Sequence, residues 1–458
     1  MKKYIFLLIV VLSISCAKPQ KQVSPTAILI SNVNIIDINN GSIAQKQQII
    51  IDSGKIKNIS ASIENIDKYT TVINGDGKYV IPGLAEMHAH IPQPTTSQER
   101  IEEVLFLYLS NGITTIRGML GHPSHLELRE KAIKDEILSP RIFTSSPSLN
   151  GNSVKTKEEA ISKVTAYQKE GYDFLKIHPG IKKEVFDQVV STANEVDISF
   201  SGHVPVDVGI RHALQSKYAS IDHIDGFLEG LVPESENVNP QDNGFFGYNF
   251  TPLVDITKID ELVQLSKNNK VWIVPTQSLY QRWFAPISAE ELLKDPEMKY
   301  MPASTLKNWK QRKGQYTEAN PNFNKEQWQQ FNDIRQKLLK KLQDNGHGIL
   351  LGSDAPQLFN VPGFSIHHEI QGMLQAGMTP LQILQSGTTN PSVFFDKQDT
   401  FGYIKEGLDA DLVILNANPI EDIKSLQQIS GVMVRGTWLS KDMIDRKLEE
   451  IAKNAANN

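Results

Sequence analysis

Histidine, lysine and aspartate residues stand at the ends of short apolar segments along this chain. The segments are Glu86-Met-His88-Ala-His90, Leu175-Lys176-Ile-His178, Gly202-His203, Asp222-His223 and Gly352-Ser353-Asp354. Imidazole nitrogens and carboxylate oxygens are ligands that zinc and related ions prefer in proteins. The recurrence of these groups in one setting therefore makes a metal site the first hypothesis.

The pair His88 and His90 is informative through strand geometry. If LAEMHAH (84–90) is a strand, both side chains project from one face, because alternate residues of a strand share a face. Two imidazoles a few ångströms apart suit one metal ion. Paired histidines also occur on surface strands without a metal, so this pair alone leaves both interpretations open.

The other segments each have an ordinary alternative. A buried Lys176 costs free energy unless its charge is paired or modified. Its alternative is a lysine with a buried stem whose ammonium group reaches the rim. His203 and His223 end consecutive strands, and each taken alone also suits a buried, hydrogen-bonded histidine. Asp354 follows the apolar segment ILLGS and adds a carboxylate at the corresponding strand end.

The segments that carry these residues alternate with helical patterns, which is typical of parallel βαβ units. One helix signal is TKEEAISKVTAYQKEG, which opens with a capping box at Thr156 and Glu159. Counting LAEMHAH as the first, residues 82–392 contain about eight strands, the number of a (β/α)8 TIM-like barrel. Active sites of such barrels lie at the C-terminal ends of the strands, where all the residues above stand.

The flanking sequence predicts a second, smaller part of an α/β protein. Residues 28–81 and 393–446 contain short β-type runs separated by turns, which indicates antiparallel strands. They predict a small β-sandwich domain formed jointly by the N- and C-terminal segments. Residues 276–330 hold three of the five tryptophan residues. They predict an aromatic-rich insertion into the barrel, over an organic substrate.

Composition excludes several classes of site and partner. The chain has 458 residues and a formal net charge of −5, so it lacks the basic footprint of a nucleic-acid-binding protein. Its single cysteine excludes an intramolecular disulfide and a zinc site built from several thiolates. Any transition metal must therefore be bound by the 11 histidines and the carboxylates.

The N-terminus reads MKKYIFLLIVVLSISCAKPQ. Two lysines precede an apolar run too short for a membrane span of about 20 residues. This layout predicts a secretory signal peptide over residues 1–15 and a tether over residues 16–27. It resembles a bacterial lipoprotein signal with Cys16 as the lipidated residue, the alternative being a plain signal with an incidental cysteine. The predicted protein is exported and membrane-anchored, periplasmic or at the outer membrane, and meets the membrane only through its lipid anchor.

The order His-x-His, Lys, His, His, Asp on strands one, four, five, six and eight resembles the amidohydrolase superfamily. The segments IPGLAEMHAH, NGITTIRG, SGHVP, ASIDHIDG, LLGSDA and GYIKEGLDADLVIL are similar to the imidazolonepropionase-related branch. The resemblance runs from about residue 28 to residue 440. It departs from the family pattern at Glu86, where Asp is more frequent, and at Gly118, where an Asp usually follows TTIR.

The resemblance implies a binuclear metal centre. The implied ligands are His88, His90, Lys176, His203, His223 and Asp354. Lys176, carboxylated by CO2, would bridge the two ions as a carbamate. Asp354 would also act as general acid and base beside a metal-bound hydroxide. Zinc is the default metal, with manganese, iron and cobalt as alternatives.

Four further residues are candidate substrate contacts, namely His178, Tyr280, Arg282 and His368. His178 shares a strand face with Lys176. Arg282 follows the seventh strand and suits a substrate carboxylate. The alternatives are a solvated loop charge for Arg282 and an exposed helix N-terminus around His368.

These inferences predict an amidohydrolase-type metal-dependent hydrolase that cleaves an amide or other C–N bond of a small molecule. Cyclic amides, Xaa-Pro-type dipeptides and N-acyl amino acids are the implied substrate classes. One alternative is a phosphotriesterase or lactonase that uses the same metal centre. Another is a non-catalytic surface binding lipoprotein. Whether the protein forms a homo-oligomer is left open by the sequence.

Overall fold

The computed structural model describes residues 27–62 and 66–457. The predicted signal peptide and nearly all of the tether, including Cys16, lie outside the described residues. Within those residues, no helix combines the length and the apolar character that crossing a membrane requires.

The strands of the described chain are short apart from the first two. In chain order they are β1 (Ile28–Ile36), β2 (Ile43–Asp52), β3 (Lys55–Ser60), β4 (Thr71–Asn74), β5 (Tyr79–Pro82), β6 (Leu84–Ala89), β7 (Ile113–Gly118), β8 (Arg141–Thr144), β9 (Leu175–Ile177), β10 (Phe200–Gly202), β11 (Ser220–Asp222), β12 (Trp272–Val274), β13 (Leu412–Leu415), β14 (Ile429–Val434) and β15 (Thr437–Ser440).

Helices separate the strands from β6 to β13, and α15 follows β15. They are α1 (Gln98–Ser110), α2 (Pro123–Ile133), α3 (Lys157–Glu170), α4 (Lys183–Glu195), α5 (Ile210–Gln215), α6 (Phe227–Gly230), α7 (Ile259–Asn268), α8 (Gln277–Arg282), α9 (Ala289–Leu292), α10 (Ala303–Tyr316), α11 (Lys325–Asn345), α12 (Ser365–Gln375), α13 (Pro380–Gly387), α14 (Thr389–Phe394) and α15 (Lys441–Ala456). Short 3-10 helices span Ile66–Lys68, Glu234–Glu236, Pro240–Asp242, Phe245–Leu253, Ile256–Lys258, Pro296–Tyr300 and Ile423–Gln427.

Helix α3 begins at the capping signal found in the sequence. The Thr156 hydroxyl accepts a hydrogen bond from the Glu159 N–H at 3.2 Å. The Glu159 carboxylate accepts from the N–H of Lys155, one residue earlier than in a reciprocal capping box. Gly171 ends the helix with a φ of 86°, a conformation that glycine adopts at little cost.

Strands from both ends of the chain pair in one sheet. Its order is β15-β14-β13-β5-β1-β2-β3, and β4 pairs with β1. The joining pair is antiparallel, with Leu412 of β13 opposite Pro82 of β5. A common core formed by Ile30, Ile49 and Leu412, among other buried residues, spans both segments. The two segments therefore form one β structure, while its arrangement as a two-layer sandwich stays a prediction.

The segments after β5 form parallel sheets. β6, β7 and β8 make one sheet, and β9 to β12 make a second. Isolated parallel bridges link the chain after β8 to the region of β9. The eighth predicted strand, residues 349–354, makes single bridges, Ile349 to Ile273 of β12 and the following Ala355 to Ala89 of β6. The chain thus has a mixed α/β fold of the TIM-barrel type, in which seven of the eight predicted strands form regular ladders.

Two long segments cover the C-terminal ends of these strands. The predicted insertion, residues 276–330, is mostly helical and contains α8, α9 and α10. A second segment, residues 231–258, carries most of the 3-10 helices and was not singled out by the sequence pattern. Phe245, in this second segment, packs on Phe284 of the insertion with ring centres 4.5 Å apart. The two segments therefore form one apolar cover.

Candidate metal centre

The six predicted metal ligands lie together at the C-terminal ends of the parallel strands. His88 lies near the end of β6, and His90 directly follows that strand. Lys176 lies in β9, while His203 and His223 directly follow β10 and β11. Asp354 ends the extended segment 349–354. Gly202 before His203 has a φ of 132°, and a Cβ there would lie 2.2 Å from the Ile177 carbonyl oxygen. Only glycine fits at that point, because the neighbouring strand approaches its backbone closely.

His88, His90 and Asp354 form one half of the centre. The Nε2 atom of His90 lies 2.7 Å from Oδ1 of Asp354. The Nε2 atom of His88 lies 3.5 Å from the same oxygen. One ligand atom from each residue lies within 4.8 Å of the others, which is the spacing of groups that can share an ion.

His203 and His223 form the other half. Nδ1 of His203 lies 3.0 Å from Oδ2 of Asp225, and Nδ1 of His223 lies 2.8 Å from the Thr276 hydroxyl. In both rings Nε2 is the other nitrogen, the one that would bind a metal ion. Hydrogen-bond partners on the opposite nitrogen commonly orient metal-binding histidines in this way. The His223 ring centre lies 4.6 Å from those of both His203 and His88, so it joins the two halves.

The side chain of Lys176 extends from β9 toward the same group of residues. Its Nζ lies 3.2 Å from Oδ2 of Asp222, and both side chains are fully buried. Arg117 donates to the other oxygen of Asp222 at 3.0 Å, and also to Ser220. Nδ1 of His88 lies 3.3 Å from Asp222 but lacks hydrogen-bond geometry. Asp222 is therefore the shared counter-ion of two buried cations.

Burial favours the neutral form of His88 and of His223. It lowers the pKa of His88 to about 4. Burial and the neighbouring His203 hold the pKa of His223 well below its usual range. Burial alone would raise the pKa of Asp354, but His88 and His90 lower it below the usual value. Neutral imidazole and ionised carboxylate are the donors that a divalent cation requires, so His88, His223 and Asp354 fit a divalent metal.

A cavity of about 470 Å³ opens above the centre. Five of the six predicted ligands line it, namely His88, His90, His203, His223 and Asp354. Phe246, from the segment 231–258, has a φ of 51° and places its ring 5.4 Å from that of His223. A positive φ is costly for phenylalanine, so the surrounding packing must hold this ring in place.

His178 also lines the cavity, and its hydrogen bonds favour one tautomer. The Asn150 amide oxygen accepts from two backbone N–H groups, so its NH2 group donates to the Ser148 hydroxyl at 2.9 Å. Ser148 lies 2.6 Å from Nδ1 of His178, and the described residues offer its hydroxyl proton no other acceptor near the site. This arrangement favours Nδ1 as the acceptor, which leaves Nε2 as a hydrogen-bond donor.

Comparison with known proteins identifies the family. The profile of the Amidohydrolase family matches residues 79–439. The chain belongs to the amidohydrolase family. The prediction of the superfamily is thereby confirmed, while the imidazolonepropionase-related branch stays a prediction.

Curated relatives of this amidohydrolase match it over short segments. A dihydroorotase of Carboxydothermus hydrogenoformans is 37% identical over 92 residues, which is 20% of this chain and 21% of that protein. An ochratoxinase of Aspergillus niger is 33% identical over 113 residues, which is 24% of this chain and 22% of that protein. The matches thus span about a fifth of the length of these relatives.

Solved structures match almost the entire amidohydrolase chain. A bottromycin amidohydrolase superposes with a TM-score of 0.70 at 20% identity, covering 94% of this chain and 91% of that one. An Xaa-Pro dipeptidase with bound methionine gives a TM-score of 0.65 at 19% identity, covering 91% of this chain and all of that one. At such identities the likeness shows the shared fold.

Three of the four predicted substrate contacts of the amidohydrolase lie outside the residues that line the cavity. The Tyr280 hydroxyl donates to the His223 carbonyl oxygen at 3.1 Å. Arg282 donates to the Phe359 carbonyl oxygen and to Asp295, at 2.9 and 2.5 Å. His368 bonds to Glu297 at 2.7 Å, away from the centre. Their polar groups already have protein partners, and only His178 among the four faces the cavity.

Asp295, Glu297 and His368 form a second group of ligand-type atoms in the amidohydrolase. The guanidinium of Arg282 lies against Asp295 and 3.9 Å from Glu297. Arg282 pairs directly with Asp295, and His368 pairs with Glu297 at 2.7 Å, so the group is an ion-pair cluster that fastens the insertion to α12.

Sequence reasoning missed several residues that hold the centre. In the sequence, Asp222 stands out only as the neighbour of His223, and Arg117 only as part of a predicted strand. Asp225 stands two residues after His223. A carboxylate so close to a candidate metal-binding histidine is the sequence signal that could have identified it. Phe246 had no signal, because its segment follows β11 without regular periodicity.

Proposed function

We propose that this amidohydrolase is a metal-dependent hydrolase that cleaves an amide or related C–N bond of a small organic molecule. The observation that carries the proposal is the convergence of His88, His90 and Asp354 within 4.8 Å at the floor of a cavity. His203 and His223 stand beside them with one nitrogen each turned from its protein partner. The family membership and the hydrolase relatives support the same reaction class.

The proposed centre takes two divalent ions, with zinc as the default. His88, His90 and Asp354 would hold one, and His203 and His223 the other, with Lys176 between them as a CO2-derived carbamate. Bound there, a divalent metal supplies a Lewis acid and lowers the pKa of a coordinated water.

The protein groups have separate tasks in this proposal. Asp354 lines the cavity within 2.7 Å of His90 and accepts or returns a proton at its carboxylate. The Nε2–H of His178 donates to the carbonyl oxygen of the substrate. Phe246 excludes water from above the histidines, which strengthens the polar interactions beneath it.

The finer structural assignments are part of the same proposal. Isolated bridges at both ends of the parallel sheets support a closed eight-stranded barrel over residues 82–392. The pairing of β5 with β13 supports a composite β domain of residues 28–81 and 393–446. The quoted motifs support placement near the imidazolonepropionase-related branch.

A hydrolysis screen on zinc- or manganese-loaded protein tests the function. We expect turnover of at least one cyclic amide, dipeptide or N-acyl amino acid, because the cavity provides both metal ligands and a carbonyl donor. Chelation and the double variant His88→Asn/His90→Asn should abolish it by removing the ligands. Turnover of lactones or phosphotriesters alone would favour the phosphotriesterase or lactonase alternative. Absence of all turnover with less than one bound metal equivalent would favour a binding lipoprotein and refute the proposal.

We further propose that the protein is exported and held at the membrane through a lipid on Cys16. The support is the signal-like order of charged, apolar and small residues before this cysteine. Cells fed radioactive palmitate should label the wild type in the membrane fraction, while Cys16→Ser stays unlabelled and is released. Equal labelling of the two proteins would contradict lipidation at this residue.

A further inference from the structure

The cavity above the centre has two chemically different ends. The histidines and Asp354 form its floor, while Arg312 of helix α10 lines it from the insertion. We propose that Arg312 is the anchor for a carboxylate on the substrate, at the end remote from the bond that is cleaved. The inference rests on the proposed function and deepens it by naming the substrate class.

The first support is the free state of the Arg312 guanidinium. Each other arginine in the described chain donates at least one hydrogen bond to a protein atom. For Arg312 the described residues provide no hydrogen bond and no ion pair. Its guanidinium lies over the face of Trp283, whose ring centre is 5.4 Å from the guanidinium carbon. Stacking on an aromatic face holds the planar group while leaving its N–H donors free.

The second support is that the cavity offers Arg312 no protein anion. Two carboxylates line the wall, Asp225 and Asp354. Asp225 accepts from His203 and from the N–H of Val204. Asp354 is engaged by His90. Arg312 is exposed, so water solvates its guanidinium in the free protein, and an anion that pairs with it inside the cavity has to come from a ligand.

The third support is the wall between the two ends. Phe245, Phe246, Trp283 and Tyr316 all line the cavity. This surface can bury an apolar or aromatic part of a substrate, and it offers few hydrogen bonds to a strongly hydrated one. A guanidinium presents two parallel N–H donors that match the two oxygens of a carboxylate. The substrate class is therefore an amide with an apolar body and a free carboxylate, as in N-acyl amino acids and related acylated carboxylic acids.

If Arg312 is the anchor, its positive charge should make the enzyme prefer a carboxylate substrate to the neutral carboxamide. The metal centre should act on both compounds alike. The experiment compares hydrolysis of N-acyl amino acids by zinc-loaded protein with hydrolysis of the same compounds as terminal carboxamides. Arg312→Met should lower kcat/KM for the acids by about 10- to 100-fold, the loss expected for a charged hydrogen-bonded pair. It should leave kcat/KM for the carboxamides within about twofold. Arg312→Lys should recover part of the loss, since it keeps the charge but not the paired donors.

Lys310→Met is the matched control, because it removes a positive charge from the same helix. Lys310 pairs with Glu290 at 2.6 Å and does not line the cavity. We expect its selectivity to equal that of the wild type. Equal losses for acid and carboxamide in Arg312→Met, or no loss for either, would overturn the anchor.

Equilibrium binding separates this inference from the proposed function. Calorimetry on zinc-loaded protein measures binding of an N-acyl phenylalanine and of its carboxamide without requiring turnover. Tighter binding of the acid that disappears in Arg312→Met supports the anchor even if no amide is cleaved. Equal binding of both compounds to the wild type would refute the anchor while leaving hydrolysis of neutral amides intact.

Discussion

Replacing Lys176 by alanine should lower kcat/KM by more than about 100-fold and remove one equivalent of bound metal. Even the outer partners of metal ligands cost about 10- to 100-fold when they are replaced, and a bridging ligand should cost more. Metal analysis and steady-state kinetics measure the two effects. Lys176 is fully buried beside Asp222, so its removal leaves the surface of the protein unchanged.

Chemical rescue distinguishes a carbamate from an ordinary ammonium group at this position. If Lys176 acts as an anionic ligand, acetate or propionate should restore part of the activity of Lys176→Ala. If it acts only as a cation for Asp222, an alkylammonium ion should restore activity and carboxylic acids should not. Wild-type metal content and rate in Lys176→Ala would remove this lysine from the centre.

Replacing Asp222 by asparagine should destabilise the metal-free protein by about 3–5 kcal/mol, the cost of removing one partner from a buried ion pair. Asp222 is the counter-ion of both Arg117 and Lys176, and all three side chains are fully buried. Burial alone would raise the pKa of Asp222, but Lys176 and Arg117 hold it well below its usual range. The free energy of unfolding in urea, measured with chelator present, tests this expectation.

Two variants serve as controls for the Asp222 measurement. Asp445→Asn breaks an exposed pair with Lys441 and should cost less than about 1 kcal/mol. Adding Lys176→Met to Asp222→Asn should recover part of the lost stability, because it removes one of the two unpaired cations. A loss below about 1 kcal/mol in Asp222→Asn would show that Asp222 is not the counter-ion that the geometry indicates.

The predicted ligands converge because strand periodicity is a strong local signal. His88 and His90 share a face whatever the neighbouring chain does, and the end of a parallel strand defines which side of the sheet they occupy. The same logic placed Lys176 and Asp354 correctly at the strand ends. The composite β structure was also predictable, since alternating apolar residues in both flanking segments required a partner.

The substrate contacts were harder to predict, because the path of the chain after a strand decides which side chains reach the cavity. Arg282 stands close behind β12 in sequence, yet α8 carries its side chain to Asp295 and the Phe359 carbonyl. Arg312 lies further along the chain, in α10, and still lines the cavity because the insertion folds back over the strands. Asp222 escaped notice because its role depends on Arg117, more than 100 residues earlier, and no local pattern connects them.

The pairing of β5 with β13 has a consequence for how the chain reaches its native state. Leu412 and Pro82 are 330 residues apart in sequence, and strands β6 to β12 lie between them. Contacts between such distant residues form slowly, because a long loop must close first. Until β13 arrives, β5 presents an unpaired edge of the kind that recruits other strands. An N-terminal fragment that ends before residue 412 should therefore aggregate, and the nascent chain should depend on protection of that edge until its synthesis is nearly complete.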